Sequence, residues 1–315
     1  MPTLEAVRRL PENLQQLMSP FWTHMDIYDQ EAGGRVLEGV ELFSGDAQMS
    51  WAMINRNIPW MWFDQVHEED WGREDMTTLQ GFHMAMLRVL QIKPGGLCWA
   101  ALECKTHVWI GRSTTGRSSD FPAGDITQSR IAKANCCVGY TTLLLLLCWL
   151  RDVQFIIEQP MNSILVTLEP LRSFILFIQG HLQPVSHTYF AAFGAETAKP
   201  ISFWGNWWGA PHLRRRCPSL QLNGEPLKQL AEKGQRWTNG KTKQLTQSAA
   251  YPALFGTLVA ELVQQGPPRD VLSWLGASSS NTKMASWQEI EMLLDTFLPP
   301  INDLGIFSMA SHIPS

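Results

Sequence analysis

The chain has 315 residues, 45% of them apolar and 17% charged, with a net charge of −4. Such a composition builds a sizeable core and excludes wholesale disorder, and the acidic balance excludes a generic polyanion binder. Six cysteines at irregular spacings, with no CxxC pair, exclude a disulfide scaffold and a zinc ribbon and fit a reducing compartment.

Residues 1 to 15 carry no apolar signal core, so secretion is not expected. The first strand is predicted over Val36 to Phe43 (VLEGVELF), followed by Ser44-Gly45-Asp46 and a helical stretch through Asn57. Trp60 to Phe63 reads as a second strand ending at Asp64, and a helix is expected from about Met76 to Leu90. Pro94-Gly95-Gly96 punctuates the chain before a third strand over Leu97 to Leu102, which ends at Glu103-Cys104. A Gly/Ser/Arg-rich loop covers Gly111 to Asp125, and a long apolar helix follows from about Gln128 to Leu150. Val153 to Ile157 is almost wholly apolar, as a strand buried on both faces requires, and it ends at Glu158-Gln159-Pro160. A helical stretch from Asn162 to about Gly180 precedes strands near His187 to Phe193 and Ile201 to Trp204. The alternation predicts an α/β fold with a doubly wound, mostly parallel sheet.

In open sheets of this kind ligands bind outside the carboxyl ends of the strands. Four predicted strands end in a polar or reactive group: Ser44-Gly45-Asp46, Asp64, Glu103-Cys104 and Glu158. Singly, such an acid is a turn or cap residue and such a cysteine a small core residue. Together and in this order they mark a candidate site.

Here the residues resemble a family. The run ELFSGDAQMSWAM (Glu41 to Met53) is similar to the first motif of the C5-cytosine DNA methyltransferases, Asp-Leu-Phe-x-Gly-x-Gly, with Phe43 and Gly45 in matching places. ALEC (Ala101 to Cys104) resembles the Pro-Cys nucleophile motif and IIEQPMNS (Ile156 to Ser163) the Glu-Asn-Val motif. FGAETAKP (Phe193 to Pro200) resembles the stretch leading into Gln-x-Arg-x-Arg, and YPALFGTLVA (Tyr251 to Ala260) the last motif, a helix that returns to the cofactor pocket. The resemblance covers roughly residues 36 to 265, and is closer still to algal proteins with EQPxNS and KP signatures.

The resemblance implies a Rossmann-like fold of the class I S-adenosylmethionine-dependent type and S-adenosylmethionine as cofactor. Asp64 would hold the ribose hydroxyls, Asp75 would face the adenine, and Phe43 and Gly45 would line the pocket. Cys104 would add to C6 of an extruded cytosine, and Glu158 would stabilise the adduct through the ring nitrogen. The implied organisation is an N-terminal extension over 1–35, a methyltransferase-like domain over 36–265 with a basic insert at 212–243, and a tail over 266–315.

The departures bear on activity. The second motif glycine is Ala47, which is tolerable unless that position needs positive φ. Glu103 replaces the proline before the cysteine, and its carboxylate should raise the thiol pKa. The arginine motif is mostly missing, with Lys199 the nearest cation, and Lys does not replace a bidentate Arg. About fifty residues separate Lys199 from Tyr251, too few for a large base-reading domain.

Nucleic acid is the partner these features suggest. His212 to Lys243 holds eight Lys/Arg, Arg214 and Arg215 among them, against two acids. It reads either as a phosphate-tracking segment or as a solvated loop. Arg112 and Arg117, in the loop after the cysteine strand, read either as phosphate ligands or as part of a flexible Gly/Ser loop. Fourteen tryptophans fill a core more often than they stack on bases. Ser286 to Leu298 has the pattern of a capped amphipathic helix, which docks on the domain or on a partner. Between Lys133 and Arg151 lie 17 uncharged residues, the lower edge of a membrane span. Soluble-type segments on both sides make a buried helix the expectation. Three readings stand: a cytosine methyltransferase, a catalytically degenerate binding module of the same fold, and a membrane-associated protein using 134–150. The expected location is intracellular, and nuclear if DNA is the target.

Overall fold

A computed structural model describes residues 37–65, 74–108, 111–228 and 250–267. The expected N-terminal extension and the Ser286–Leu298 helix lie outside the described residues, as does the basic insert beyond Lys228.

Six strands form one sheet: β1 (Leu37–Leu42), β2 (Trp60–Phe63), β3 (Ile92–Ala100), β4 (Gln154–Pro160), β5 (Ser186–Tyr189) and β6 (Pro200–Gly205). Their order is β2-β1-β3-β4-β6-β5. The pairings β1–β2, β1–β3 and β3–β4 are parallel, but β6 runs antiparallel to both β4 and β5. The sheet is therefore mixed: five strands share one direction, and β6 alone departs from the mostly parallel sheet expected from the alternation. The cause lies in the connection from β5 to β6. It holds a 3₁₀ turn at Phe190–Phe193 and then Gly194 in the left-handed region. A link that short and without a full helix cannot make the crossover a parallel pair needs, so the strands close as a hairpin.

Helices cover both faces. Strand alternation sends Cys98, Ala100, Phe155 and Ile157 to one face, under α2 (Leu79–Leu90), α3 (Ser129–Leu150) and α4 (Leu171–Phe177). It sends Trp99, Ile156 and Phe203 to the other face, against α1 (Gln48–Ile54) and α5 (Ala253–Gln265). Trp60, Trp99 and Trp207 are buried here, the packing role expected of most tryptophans, while Trp51 on α1 is exposed and lies 5.5 Å from Trp62, ring to ring. Gly39 in β1 is required by close approach, since a Cβ there would stand 2.3 Å from the Leu97 carbonyl.

The apolar helix α3 packs on the sheet, as expected. Val138, Leu144, Leu145 and Cys148 are buried with Val153 and Phe155 of the β4 region. By length and composition alone Ser129–Trp149 is also apolar enough to cross a membrane, as the core helix of a soluble protein often is. Strand β3 starts five residues earlier than expected, because Pro94-Gly95-Gly96 is absorbed as an irregularity in the strand. Its pairing to β1 shifts register there, with Gly95 N–H donating to the Asp152 carbonyl at 2.7 Å.

Candidate functional site

The four strands β1 to β4 run in one direction, so their carboxyl ends share an edge. The loop leaving β1 is wound tightly: Phe43, Gly45 and Ala47 have φ of 61°, 53° and 51°. At Ala47 the left-handed conformation falls on a residue with a Cβ, which costs roughly 1–2 kcal/mol. The Gly45 N–H donates to Oδ2 of Asp64 at 2.9 Å, tying this loop to the end of β2. A Cβ at Gly45 would meet nothing within 4 Å, so the backbone faces open space.

Asp64 is itself braced. Its backbone N–H donates to Oε2 of Glu74 at 2.9 Å, and Glu74 pairs with Arg88 of α2. Asp75 lies just before α2, where its Oδ1 accepts from the N–H and hydroxyl of Thr77 at 2.8 and 2.7 Å. This local turn leads into the Thr78 cap, whose hydroxyl accepts from the Gly81 N–H at 3.0 Å.

Beneath the β1 loop sits an acid that sequence reading passed over. Glu41 is buried within β1 and accepts from the backbone N–H of Ser50 at 3.0 Å and from the Ser50 hydroxyl. Ser50 in turn accepts from the Trp60 indole at 3.1 Å. Burial raises the Glu41 pKa to about 8, against the lowering effect of the Ser50 bonds and with help from the nearby charges of Asp64 and Glu158. Its Oε1 has no partner, nor does the buried Ser44 hydroxyl. The strand LEGVEL carries two acids, Glu38 and Glu41, and the sequence alone does not say which one is buried.

Cys104 lies four residues past β3 and opens a turn in which its carbonyl accepts from the N–H of His107 at 2.8 Å and of Val108 at 3.1 Å. It is partly buried. Desolvation raises its thiol pKa first, then the Glu158 and Glu103 carboxylates, while Lys199 opposes them. The effect foreseen for Glu103 is thus present, but weakest of the three that raise the pKa, and that carboxylate is shared with Lys105 in an exposed ion pair.

Glu158, on β4 beside β3, is buried on the face toward α5. Burial raises its pKa, with Lys199 and the Tyr251 hydroxyl acting in the opposite sense. Tyr251 donates to Oε2 of Glu158 at 3.3 Å and accepts from the Trp99 indole at 3.0 Å. Oε1 of Glu158 has no partner. Lys199 has φ of 29°, and its Nζ stands 4.9 Å from the centre of the Phe190 ring. Tyr251 is the second residue that sequence reading missed: its motif was noted, but nothing in one sequence says that a hydroxyl there reaches Glu158.

The other basic residues behave differently from one another. Arg117 is 2% exposed. Its guanidinium donates to the Pro122 carbonyl at 2.5 Å, to Oδ1 of Asn135 at 2.8 Å and to the Thr106 hydroxyl at 3.4 Å, folding the 111–125 loop onto α3. Burial lowers its pKa to about 10, and burial together with Arg117 lowers that of His107 to about 4, so the imidazole is neutral. These bonds hold Arg117 to its own loop and to α3, although its Nε has no partner. Arg112 is half-buried at the start of a single helical turn, Arg112–Thr115. Arg214 donates to the Ser186 hydroxyl and the Val185 carbonyl, both at 3.3 Å, at the amino end of β5. Arg215 donates to the His212 carbonyl at 3.0 Å and lies 5.5 Å from the Phe193 ring centre. Both are exposed, and Arg214 sits two strands away from β4, at a level where Ser186 and Glu158 both lie opposite Phe203 of β6. The structure gathers Gly45, Asp64, Cys104, Glu158 and Lys199 at one edge, with Arg214 two strands from β4.

The last helix completes the edge. α5 packs on α1, where a Cβ at Gly256 would come within 3.2 Å of the Gln48 carbonyl, and Arg56 pairs with Glu261 at 2.9 Å. Among the described residues no cluster of three His, Cys, Asp or Glu could hold a metal.

Fold and site define a mixed α/β protein with a buried acid and a cysteine at one strand edge. No protein-family model and no curated protein matches the chain. Among solved structures, the methyltransferase EhMeth of Entamoeba histolytica is similar over 62% of this chain and 58% of its own, at 10% identity and a TM-score of 0.34. The chain thus spans little more than half of that protein's length, and so slight a likeness defines no function.

Proposed function

We propose that the protein is an S-adenosylmethionine-dependent methyltransferase acting on C5 of cytosine in nucleic acid. The observation that carries this is Glu158: a buried carboxyl with one partnerless oxygen, close enough to Cys104 for its charge to raise the thiol. With its pKa raised, the carboxyl holds a proton more readily and serves as a hydrogen-bond donor. That is the group needed to stabilise a base at its ring nitrogen when a thiolate adds to C6 and C5 gains nucleophilic character.

The edge fits the cofactor. Partnerless polar atoms of Glu41 and Ser44 and the open space at Gly45 would supply polar contacts and close backbone approach. Asp64 would take the ribose, with Phe43 and Asp75 beside it. When bound, the cofactor would supply an electrophilic methyl group. Lys199 favours the charged forms of both Cys104 and Glu158 and would be the cation that meets the target. Arg112 and the exposed Arg214 and Arg215 would track phosphates. The protein would then work inside the cell, and in the nucleus if DNA is the target.

The thiol favours one second reading. Burial and two carboxylates keep the Cys104 thiolate sparse at neutral pH, which suits a module that binds the cofactor without turnover. Methyl transfer from labelled cofactor to mixed DNA and RNA separates the two: the enzyme reading requires transfer that is lost in Cys104→Ser, whereas cofactor binding with no transfer supports the module.

A further inference from the structure

Between the end of β3 and the turn at Cys104 lie residues 101–104, in no regular structure. A nucleophile on such a segment is placed only as well as the segment is held. One tie is backbone, the Ala101 N–H donating to the Leu42 carbonyl at 3.1 Å. The other is a side chain. Gln159 is 0% exposed and follows Glu158 on β4, so the two point to opposite faces. Its Nε2 donates to the Leu102 carbonyl at 2.6 Å, and its Oε1 accepts from the Ser163 hydroxyl at 2.9 Å. Ser163 is fixed in turn, its hydroxyl accepting from the Leu165 N–H at 3.2 Å and its own N–H donating to the Pro160 carbonyl at 2.9 Å. The far side of the cysteine turn is tied to the same stretch: the Ile164 N–H donates to the His107 carbonyl at 2.9 Å, and Val108 bridges to Ser163.

We infer that Gln159 is a positioning residue for Cys104, clamping the Leu102 carbonyl to the exit of β4 and so fixing the cysteine segment relative to Glu158. A carboxamide suits this because one arm must donate and the other accept. A carboxylate would face the Leu102 carbonyl with no proton, and an aliphatic chain would leave two buried polar groups unpaired. The role rests on the reading of Cys104 as nucleophile, but the clamp is measurable without it.

The test is the rate at which iodoacetamide alkylates each cysteine of the full chain, followed by peptide mass spectrometry, in wild type, Gln159→Leu and Ser163→Ala. Release of the segment hydrates the thiol, so Cys104 should react about tenfold faster in Gln159→Leu and less so in Ser163→Ala, with Cys98 and Cys148 unchanged. Affinity for S-adenosylmethionine should stay within about twofold, while kcat for methyl transfer falls at least about tenfold with KM for nucleic acid unchanged, the mark of lost alignment. An unchanged Cys104 rate in both variants, or a rise shared by Cys98 and Cys148, overturns the clamp. A selective Cys104 rise in a protein whose wild type transfers no methyl group supports the clamp and counts against the enzyme reading instead.

Discussion

Tyr251 and Glu158 are 93 residues apart in the chain, yet the tyrosine hydroxyl donates to the carboxyl at 3.3 Å. The same hydroxyl accepts from Trp99, so one oxygen joins β3, β4 and the segment entering α5. Tyr251→Phe leaves a buried indole N–H without its acceptor and a carboxyl oxygen without its donor. The expected loss is about 1–3 kcal/mol, read as a lower urea midpoint at unchanged m. The hydroxyl lowers the Glu158 pKa, so removing it raises that pKa further and the loss grows as pH rises. A loss that does not vary with pH would show that the hydroxyl does not favour the ionised carboxyl.

Glu41 gives a second pH signature. Its folded pKa of about 8 lies above the ordinary 4.5, so the folded state holds a proton that the unfolded state releases. Its contribution is most favourable below pH 4.5 and is lost as pH rises through about 8. Between those limits the difference amounts to roughly 3–5 kcal/mol. Glu41→Gln keeps the acceptor for Ser50 and cannot ionise. The stability of wild type minus that of Glu41→Gln should therefore fall from pH 4.5 to 9, and a flat difference would mean that Glu41 ionises normally.

Ala47 sits at φ 51° where the resembled motif carries glycine. Ala47→Gly should relieve about 1 kcal/mol of strain, partly offset by the greater freedom of glycine in the unfolded chain. Thermal unfolding should rise or stay level. A fall beyond about 1 kcal/mol would show that the methyl packs better than the backbone is strained.

Asp64 joins the two loops expected to hold the cofactor. Asp64→Ala removes the acceptor of the Gly45 N–H and the proposed ribose ligand together. Calorimetry with S-adenosylhomocysteine should show weakening of about 1–3 kcal/mol. Affinity equal to wild type would leave Asp64 as a turn residue.

Much of this edge was legible because strand ends punctuate a sequence. Gly45, Asp64, Cys104 and Glu158 each follow an apolar run, and parallel pairing of β1 to β4 then brings them together. The direction of β6 was not legible, since its residues suit either orientation and only the short link from β5 decides it. Asp75 lies in the turn that opens α2, its carboxylate accepting from Thr77. Arg117 looked like a solvent-facing cation in a Gly/Ser loop. Its burial follows from Asn135 and Pro122, contacts a single sequence does not announce. Glu41, Gln159 and Tyr251 were missed for the same reason: their roles arise from partners across the sheet.

The central claim is that Cys104 and Glu158 form one reacting pair at the edge proposed to hold the cofactor. Its most direct test is incubation with S-adenosylmethionine and oligonucleotides carrying 5-fluorocytosine, where an adduct formed by C6 attack persists because the fluorine cannot leave as a proton does. The account predicts a covalent complex mapped to Cys104, absent in Cys104→Ser and strongly slowed in Glu158→Gln. Cofactor binding without any adduct from wild type, on DNA or on RNA, would contradict it.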